Sequence, residues 1–158
     1  MANGNISVQV FEARNIHART GHKKNYLSSQ ETCSENESTS STSEQLNSPA
    51  QVAVHLYTHN HLHKIPIYRQ QYQTHTQPLS NLIWNETFTL NVDDKHTTLY
   101  VEVLDKRKGL LEHRKLATTN ILLEEIFEKK ELDNWYALFN EHNTSSGEIR
   151  LKISYQPN

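Results

Sequence analysis

Sulfur, glycine and proline are scarce in this chain of 158 residues, and each shortage argues against a class of protein. A single cysteine, Cys33, cannot form an internal disulfide, which excludes a disulfide-stapled scaffold. Four glycines and four prolines argue against phosphate-cradling loops, collagen-like repeats and a proline-rich interaction protein. The chain also lacks a run of about 20 apolar residues, the length that a membrane-spanning helix needs.

Positive and negative charges are nearly balanced in the sequence. The 16 Lys and Arg residues and the 18 Asp and Glu residues give a net charge of -2, which argues against a strongly basic nucleic-acid binder. Residues 1–5 lack the basic-then-apolar pattern of a secretory signal, so we expect a cytoplasmic protein. With 35% hydrophobic residues the sequence can bury one core of modest size, and we expect a single domain over 1–158.

Alternating apolar and polar residues recur along the chain and predict short β-strands. The clearest runs are 6–13, 52–57, 99–104 and 149–155. Weaker runs are 64–68, 84–90, 121–123 and 135–139. Leu122, Leu123, Ile126 and Phe127 recur at helical spacing and predict one short amphipathic helix. Many short strands with one helix predict an all-β fold, an eight-stranded antiparallel β-sandwich.

A segment rich in Ser, Thr and Glu follows the first strand. Only Cys33 and Leu46 are apolar between residues 28 and 48, so the segment cannot bury enough surface to offset the entropy of ordering it. We expect 28–48 to be a disordered insertion in the first loop. Ser28, Ser34 and Ser41 each precede a glutamate by three residues, which suggests a hypothetical phosphorylation switch.

The segment PLSNLIWNETF, residues 78–88, resembles the signature of C2 domains, Asn-Pro-x-Trp-Asn-Glu-x-Phe before a central strand. Leu82 stands where the proline is usual. Further parts follow in the family's order at 99–105, 133–138 and 147–153, and the resemblance extends from residue 4 to about 155. It implies a C2-like sandwich, and an opening strand directly before the first loop suggests the permuted, type II strand order.

In the C2 family, loops at one end of the sandwich often bind calcium through aspartates and dock on phospholipid. Calcium takes six to eight oxygen ligands. Asp105 matches one ligand position and Glu112 approximates another, but Arg107 stands where the next carboxylate is expected. The first loop, about 17–50, contains no aspartate. We therefore expect degenerate calcium positions at Asp105 and Glu112, no functional metal site and no cofactor.

The third loop, 105–115, contains five basic and two acidic residues, and its expected tip carries a pair of leucines. Exposed leucines suit insertion among lipid headgroups, while each basic side chain near an anionic surface contributes roughly 1 kcal/mol. Cations of the first loop could widen this surface. The residues expected to bind lipid are Lys106, Arg107, Lys108, Leu110, Leu111, Arg114, Lys115, Arg19, Lys23 and Lys24. The alternative is a solvated loop whose leucines pack on the core.

The sequence thus predicts a non-catalytic module that binds an anionic phospholipid membrane surface without calcium, peripherally and from the cytoplasm. The alternative is a protein-protein interaction or scaffold domain that acts through a sheet face or through 28–48 and binds no lipid. The resemblance does not choose between them, since the family contains both kinds.

Other chemistries find less support in the sequence. His59, His61 and His63 could hold zinc on a straight strand, but a turn at Asn60 would separate them. Cys33 has no positioned base, and the pair Asp93 and Asp94 is interpreted as solvated charge in a turn rather than as an acid/base pair. The large aromatic residues are interpreted as core rather than as a platform for stacking nucleic-acid bases: Trp84, Phe88, Trp135 and Phe139.

Overall fold

Nine antiparallel strands and one helix are formed by the residues that this computed structural model describes, which are 3–18, 49–58, 70–107 and 114–158. The strands are β1 (Asn3–Arg14), β2 (Gln51–Thr58), β3 (Gln70–Gln73), β4 (Gln77–Pro78), β5 (Ile83–Asp93), β6 (Thr98–Asp105), β7 (Arg114–Leu122), β8 (Glu131–Phe139) and β9 (Ser145–Pro157). Helix α1 is Leu123–Lys129. The predicted insertion 28–48, the predicted strand 64–68 and the three clustered histidines lie outside the described residues.

The strands follow one hydrogen-bonded path in the order β3-β2-β6-β7-β8-β9-β1-β5, with the two-residue β4 added beside β2. The path divides into two four-stranded layers between β7 and β8, whose one ladder pair in the described ranges is Thr118 with Phe139. The predicted all-β, antiparallel sandwich is confirmed. The opening strand β1 lies between β5 and the closing strand β9, and the assignment to the type II order stays a prediction.

Both layers turn their apolar residues inward because side chains alternate along a strand. In β1 the side chains of Ile6, Val8 and Val10 are fully buried. In the neighbouring strand β9, Ile153 pairs with Val8 and Leu151 pairs with Val10, and both are also fully buried. Strand β6 departs from simple alternation, since its last five residues are all buried and include the two carboxylates Glu102 and Asp105.

The two outer strands β3 and β5 are joined across the open edge by a side chain. The amide group of Gln70 donates a hydrogen bond to the carbonyl oxygen of Asn91 (2.7 Å) and accepts one from its N–H (2.9 Å). Beside this bridge, the rings of Tyr72 and Phe88 stack with their centroids 5.7 Å apart. The side-chain amide therefore takes the place of a backbone partner for Asn91.

The predicted helix is confirmed, with one correction at its start. Leu123 and Ile126 are buried. The helix is capped by Lys130, which has a left-handed backbone (φ 71°) and donates its N–H to the oxygen of Ile126 at 2.8 Å. Leu122, which the spacing assigns to the apolar face, is the last residue of β7 and is 63% exposed. Strand geometry turns its side chain away from the core.

The aromatic residues predicted to form core are only partly placed there. Trp84 is buried and donates its indole N–H to the oxygen of His75 at 2.9 Å. Trp135 is half-buried, with the guanidinium of Arg14 lying 3.9 Å from the ring centroid. Phe139 is 37% exposed, so the prediction is wrong there, because the adjacent Leu138 is the residue that this end of β8 buries in the core.

Candidate functional site at the loop end of the sandwich

One end of the sandwich, called the loop end here, gathers the segments that the sequence marks for function. It comprises residues 15–18, 49–50, 79–82, 106–107 and 140–144 with the strand termini beside them. Strands β2 and β6 are joined there by the pair Val52 and Asp105 and by a hydrogen bond from the N–H of Lys106 to the oxygen of Gln51 (2.7 Å). Asp105 is also paired with Arg114 of β7.

Asp105 and Arg107 form a buried ion pair at this end. The guanidinium donates through Nη2 and Nε to Oδ2 of the carboxylate, at 2.6 and 2.9 Å. The other oxygen, Oδ1, accepts the N–H groups of Arg107 (3.1 Å) and Gln51 (3.4 Å). The Asp105 side chain is 0% exposed and that of Arg107 is 6% exposed. Both carboxylate oxygens are therefore engaged by donors of the protein itself.

This pair corrects one sequence prediction. Arg107 was expected on the lipid-binding surface, but its guanidinium is buried against Asp105 and is not presented to solvent. The reason is electrostatic, because a carboxylate buried at the end of β6 needs a nearby cation to offset its desolvation. The carboxylate of Asp105, whose position resembles that of a calcium ligand, is thus already paired with a positively charged side chain of the same protein.

The other predicted lipid-binding cations fall into two groups. Lys106 is half-buried, Arg114 is exposed, and Lys115 is 63% exposed while its Nζ lies 2.9 Å from Oε2 of Glu102. These three lie at the loop end, at the termini of β6 and β7. The remaining residues of that prediction lie outside the described residues: Lys108, Leu110, Leu111, Arg19, Lys23 and Lys24. Glu112, which was predicted as a degenerate calcium position, also lies outside them.

A buried carboxylate that the sequence analysis missed lies next to Lys115. Glu102 accepts from Lys115 and also lies 3.0 Å from Nδ1 of His55, whose Nε2 is 3.1 Å from the side-chain oxygen of Gln71. Burial opposes the charged form of Glu102, but the hydrogen bonds from Lys115 and His55 outweigh it, so its pKa is lowered from the ordinary value. In the sequence, the signal for Glu102 was its position in the alternating pattern of β6, where its side chain is expected to face away from the core.

Asp93, considered in the sequence as one half of an acid/base pair, is the last residue of β5, at the turn that leads to β6. Oδ1 of Asp93 accepts the N–H of Lys95 at 2.8 Å and lies 2.9 Å from Nδ1 of His96, so this carboxylate closes the turn between β5 and β6. Among the described residues, no group of three or more His, Cys, Asp and Glu side chains could hold a metal ion. No helix in the described part of the chain is long and apolar enough to span a membrane.

The chain belongs to the C2 domain family, whose family model matches residues 4–138. No curated protein matches the sequence. Similar solved structures include the C2A domain of plant extended synaptotagmin 1, at 18% identity and a TM-score of 0.63, covering 100% of this chain and 98% of that one. The calcium-bound C2A and C2B domains of extended synaptotagmin 2 align at 15% identity and a TM-score of 0.66, covering 99% of this chain and 47% of that one.

A third structure is human GIVD cytosolic phospholipase A2, at 17% identity and a TM-score of 0.64. The alignment covers 99% of this chain but 17% of the phospholipase. At these identities the structural likeness shows the fold alone.

Proposed function

We propose that this C2 domain is a non-catalytic module that binds anionic phospholipid surfaces without calcium, as a peripheral protein on the cytoplasmic side. The observation that carries the proposal is the buried pair of Asp105 and Arg107. A divalent cation would have to displace the guanidinium from both hydrogen bonds before it reached the carboxylate. The guanidinium supplies there the positive charge that calcium would otherwise bring.

The attraction to the membrane comes from basic side chains that remain at the loop end. Lys106, Arg114 and Lys115 lie at adjoining termini of β6 and β7, where one surface can meet them together. At roughly 1 kcal/mol for each basic side chain, with the charge of Lys115 partly offset by Glu102, the three give weak binding that salt screens. Lys108, Leu110, Leu111, Arg19, Lys23 and Lys24 stay predicted members of the same surface.

The comparisons support the proposal through the family. The structure of the C2A and C2B domains of extended synaptotagmin 2 has been solved with calcium bound. The present chain shares that fold but pairs Asp105 with an arginine, so we expect its membrane binding to differ in its dependence on calcium. The match to GIVD phospholipase A2 leaves most of that enzyme unaligned, and we propose no catalytic activity for this chain.

Co-sedimentation of the full chain with vesicles tests the proposal. Neutral phosphatidylcholine vesicles are compared with vesicles that contain phosphatidylserine, at low and high salt, each with calcium or a chelator. We expect binding to the anionic vesicles that weakens with salt and is the same with calcium or chelator. Binding that requires calcium, or binding that is equal on neutral vesicles, contradicts the proposal.

Charge-reversal variants locate the binding surface. The double variant Lys106→Glu with Arg114→Glu should bind anionic vesicles at least ~10-fold more weakly, given the contribution of each cation. The matched control is Lys95→Glu with Lys129→Glu, which reverses two exposed cations far from the loop end. Equal losses in the two double variants contradict a surface at the loop end. Absence of vesicle binding in every condition favours the alternative, a protein-interaction domain that binds no lipid.

A further inference from the structure

A pocket, called the α1 pocket here, lies at the end of the sandwich opposite the loop end, where helix α1 begins. The turn between β5 and β6 forms one side of it, and the junction of β7 with α1 forms the other. Its volume is about 300 Å³, at the small end of the range for ligand sites, which suits a single side chain better than a large cofactor. The residues that line it are Asp94, His96, Thr97, Leu122, Glu124 and Phe127.

Two side chains, Leu122 and Phe127, supply the apolar surface of the α1 pocket. Leu122 is 63% exposed, more than any other large apolar side chain among the described residues. Phe127 is partly buried, and its ring packs edge-on against the ring of Tyr155 with the centroids 4.8 Å apart. The phenyl ring is thus fixed against the core, while the leucine presents its apolar surface to solvent.

Leu122 also occupies the N-cap of α1, a position that leucine does not favour. Helices prefer Ser, Thr, Asp or Asn there, because the side-chain oxygen of these residues accepts a free N–H of the first turn. Leu122 forms no such hydrogen bond. Neither capping of the helix nor burial in the core accounts for a leucine at this position, whereas contact with a partner would.

The rim of the α1 pocket is acidic. Asp94 and Glu124 are exposed carboxylates from its two sides, and no lysine or arginine is among its lining residues in the described part of the chain. Two cations lie nearby. Lys95 follows Asp94 in the turn, and Lys129 lies in the last turn of α1 with its Nζ 2.9 Å from Oε1 of Glu125. The lining itself therefore attracts a positive group to a place beside its apolar surface.

Hydrogen bonds hold the two sides of the α1 pocket in place. The N–H of Leu123 donates to the carbonyl oxygen of Thr97 at 3.0 Å, which joins the start of α1 to the segment before β6. In the turn, Oδ1 of Asp93 lies 2.9 Å from Nδ1 of His96 and accepts the N–H of Lys95 at 2.8 Å. A pocket whose sides are fixed in this way loses little conformational entropy when a partner binds.

We propose that the α1 pocket docks an arginine side chain from a basic segment of a partner protein. The apolar stem of an arginine can cover Leu122, and its guanidinium can lie against the ring of Phe127 and pair with Asp94 or Glu124. A neutral apolar ligand would desolvate the carboxylates without a counter-charge, and an anion would be repelled. The inference goes beyond the proposed membrane binding and does not depend on it, since the α1 pocket and the loop end lie at opposite ends.

An NMR titration of the full chain with short peptides, followed on the backbone amide signals, tests the docking. The probe is a pentapeptide with blocked termini and the sequence glycine-leucine-arginine-leucine-glycine. The control peptide has glutamine in place of the arginine. With the arginine peptide we expect saturable shifts of the signals of Thr97, Leu122 and Glu124, which weaken with salt. The glutamine peptide should bind about 5-fold more weakly, because it lacks the ion pair at the exposed rim.

Two variants of the protein separate the apolar and the charged contributions. Leu122→Ser should weaken binding of the arginine peptide about 5-fold through lost apolar contact, yet keep or raise the Tm, because serine caps a helix better than leucine. Its matched control is Leu79→Ser, which changes another exposed leucine, in the turn after β4. Glu124→Gln should weaken binding roughly 3-fold. Its control is Glu141→Gln, at an exposed carboxylate of the loop end, and both controls should leave the affinity unchanged.

Several results would overturn the inference. Equal affinities of the arginine and glutamine peptides overturn recognition of the charge, and signal shifts confined to the loop end overturn the location. Free arginine that binds as tightly as the peptide overturns a protein segment as its source. A fall in the Tm of Leu122→Ser shows that the leucine serves the fold instead. The two proposals fail separately, because absence of saturable peptide binding overturns this one and absence of vesicle binding overturns only the membrane proposal.

Discussion

Arg107 and Asp105, two residues apart in sequence, neutralise each other inside the protein at the end of strand β6. The carboxylate also holds two backbone N–H groups, one of them from Gln51 at the start of β2. One ion pair thus fastens two neighbouring strands at the loop end, and it occupies the position where the family resemblance places a calcium ligand.

The first prediction concerns the cost of breaking this pair. Arg107→Ala should lower the free energy of unfolding by about 3–5 kcal/mol, because it leaves the Asp105 carboxylate buried without a counter-charge. The double variant Asp105→Asn with Arg107→Gln should lose less than the sum of its single variants, and urea unfolding of all four proteins measures the coupling. Additive losses would show that the two side chains contribute independently.

The second prediction concerns calcium and stability. A ligand present at 100 times its Kd stabilises a folded protein by about 2.7 kcal/mol, which thermal unfolding detects easily. We expect the Tm to be the same in excess calcium and in chelator, because the guanidinium of Arg107 occupies the carboxylate. Magnesium serves as the control for ionic strength. A rise in Tm with calcium but not with magnesium contradicts the account of the pair.

The third prediction concerns acid and Glu102. Its pKa is lowered from 4.5 in the folded state, so its pairing stabilises the protein above pH 4.5 and the contribution is lost as the pH falls through the lowered value. At pH 7, Glu102→Gln should cost about 1 kcal/mol, because its partner Lys115 is mostly exposed.

Urea unfolding between pH 7 and pH 3 measures this difference. The stability gap between the wild type and Glu102→Gln should narrow below pH 4.5. Asp94→Asn, which removes an exposed carboxylate from the β5–β6 turn, is the matched control. A gap that stays constant down to pH 3 contradicts the ion pair.

The fourth prediction concerns Gly147 at the start of β9. Its backbone is in the left-handed region (φ 98°), and a Cβ there would lie 2.7 Å from Cδ1 of Ile16 and 2.8 Å from the oxygen of Arg14. Gly147→Ala should therefore lower the free energy of unfolding by about 1–3 kcal/mol and reduce the Tm. Ser146→Ala, one residue earlier, is the control. Equal Tm values for the two variants would show that the position tolerates a side chain.

Strand alternation predicted most of the sandwich, because burial of one face imposes a period of two. The runs at 6–13 and 149–155 correspond to β1 and β9, and helical spacing found α1. The start of β7 was not predicted, since Arg114 and Lys115 look like loop residues until they are paired with Asp105 and Leu104.

The candidate site was less accessible to sequence reasoning. Charge alone placed Arg107 among the lipid-binding cations. The sequence does not show that Arg107 is buried against Asp105, whose carboxylate also accepts the N–H of Gln51, 54 residues away. A cavity at the loop end is lined by His17, Arg114 and Ser146, which come from three separate segments and share no spacing pattern. Their proximity follows from how β7 and β8 diverge, a tertiary property that no local pattern encodes.

The amide bridge between Gln70 and Asn91 has a consequence for association between molecules. Strands β3 and β5 are the ends of the sheet path, and exposed strand edges invite pairing with other chains and aggregation. Because Gln70 occupies both the N–H and the carbonyl of Asn91, an incoming strand would first have to displace a group of the same chain. The Gln70 side chain therefore opposes the addition of a strand from another molecule at Asn91.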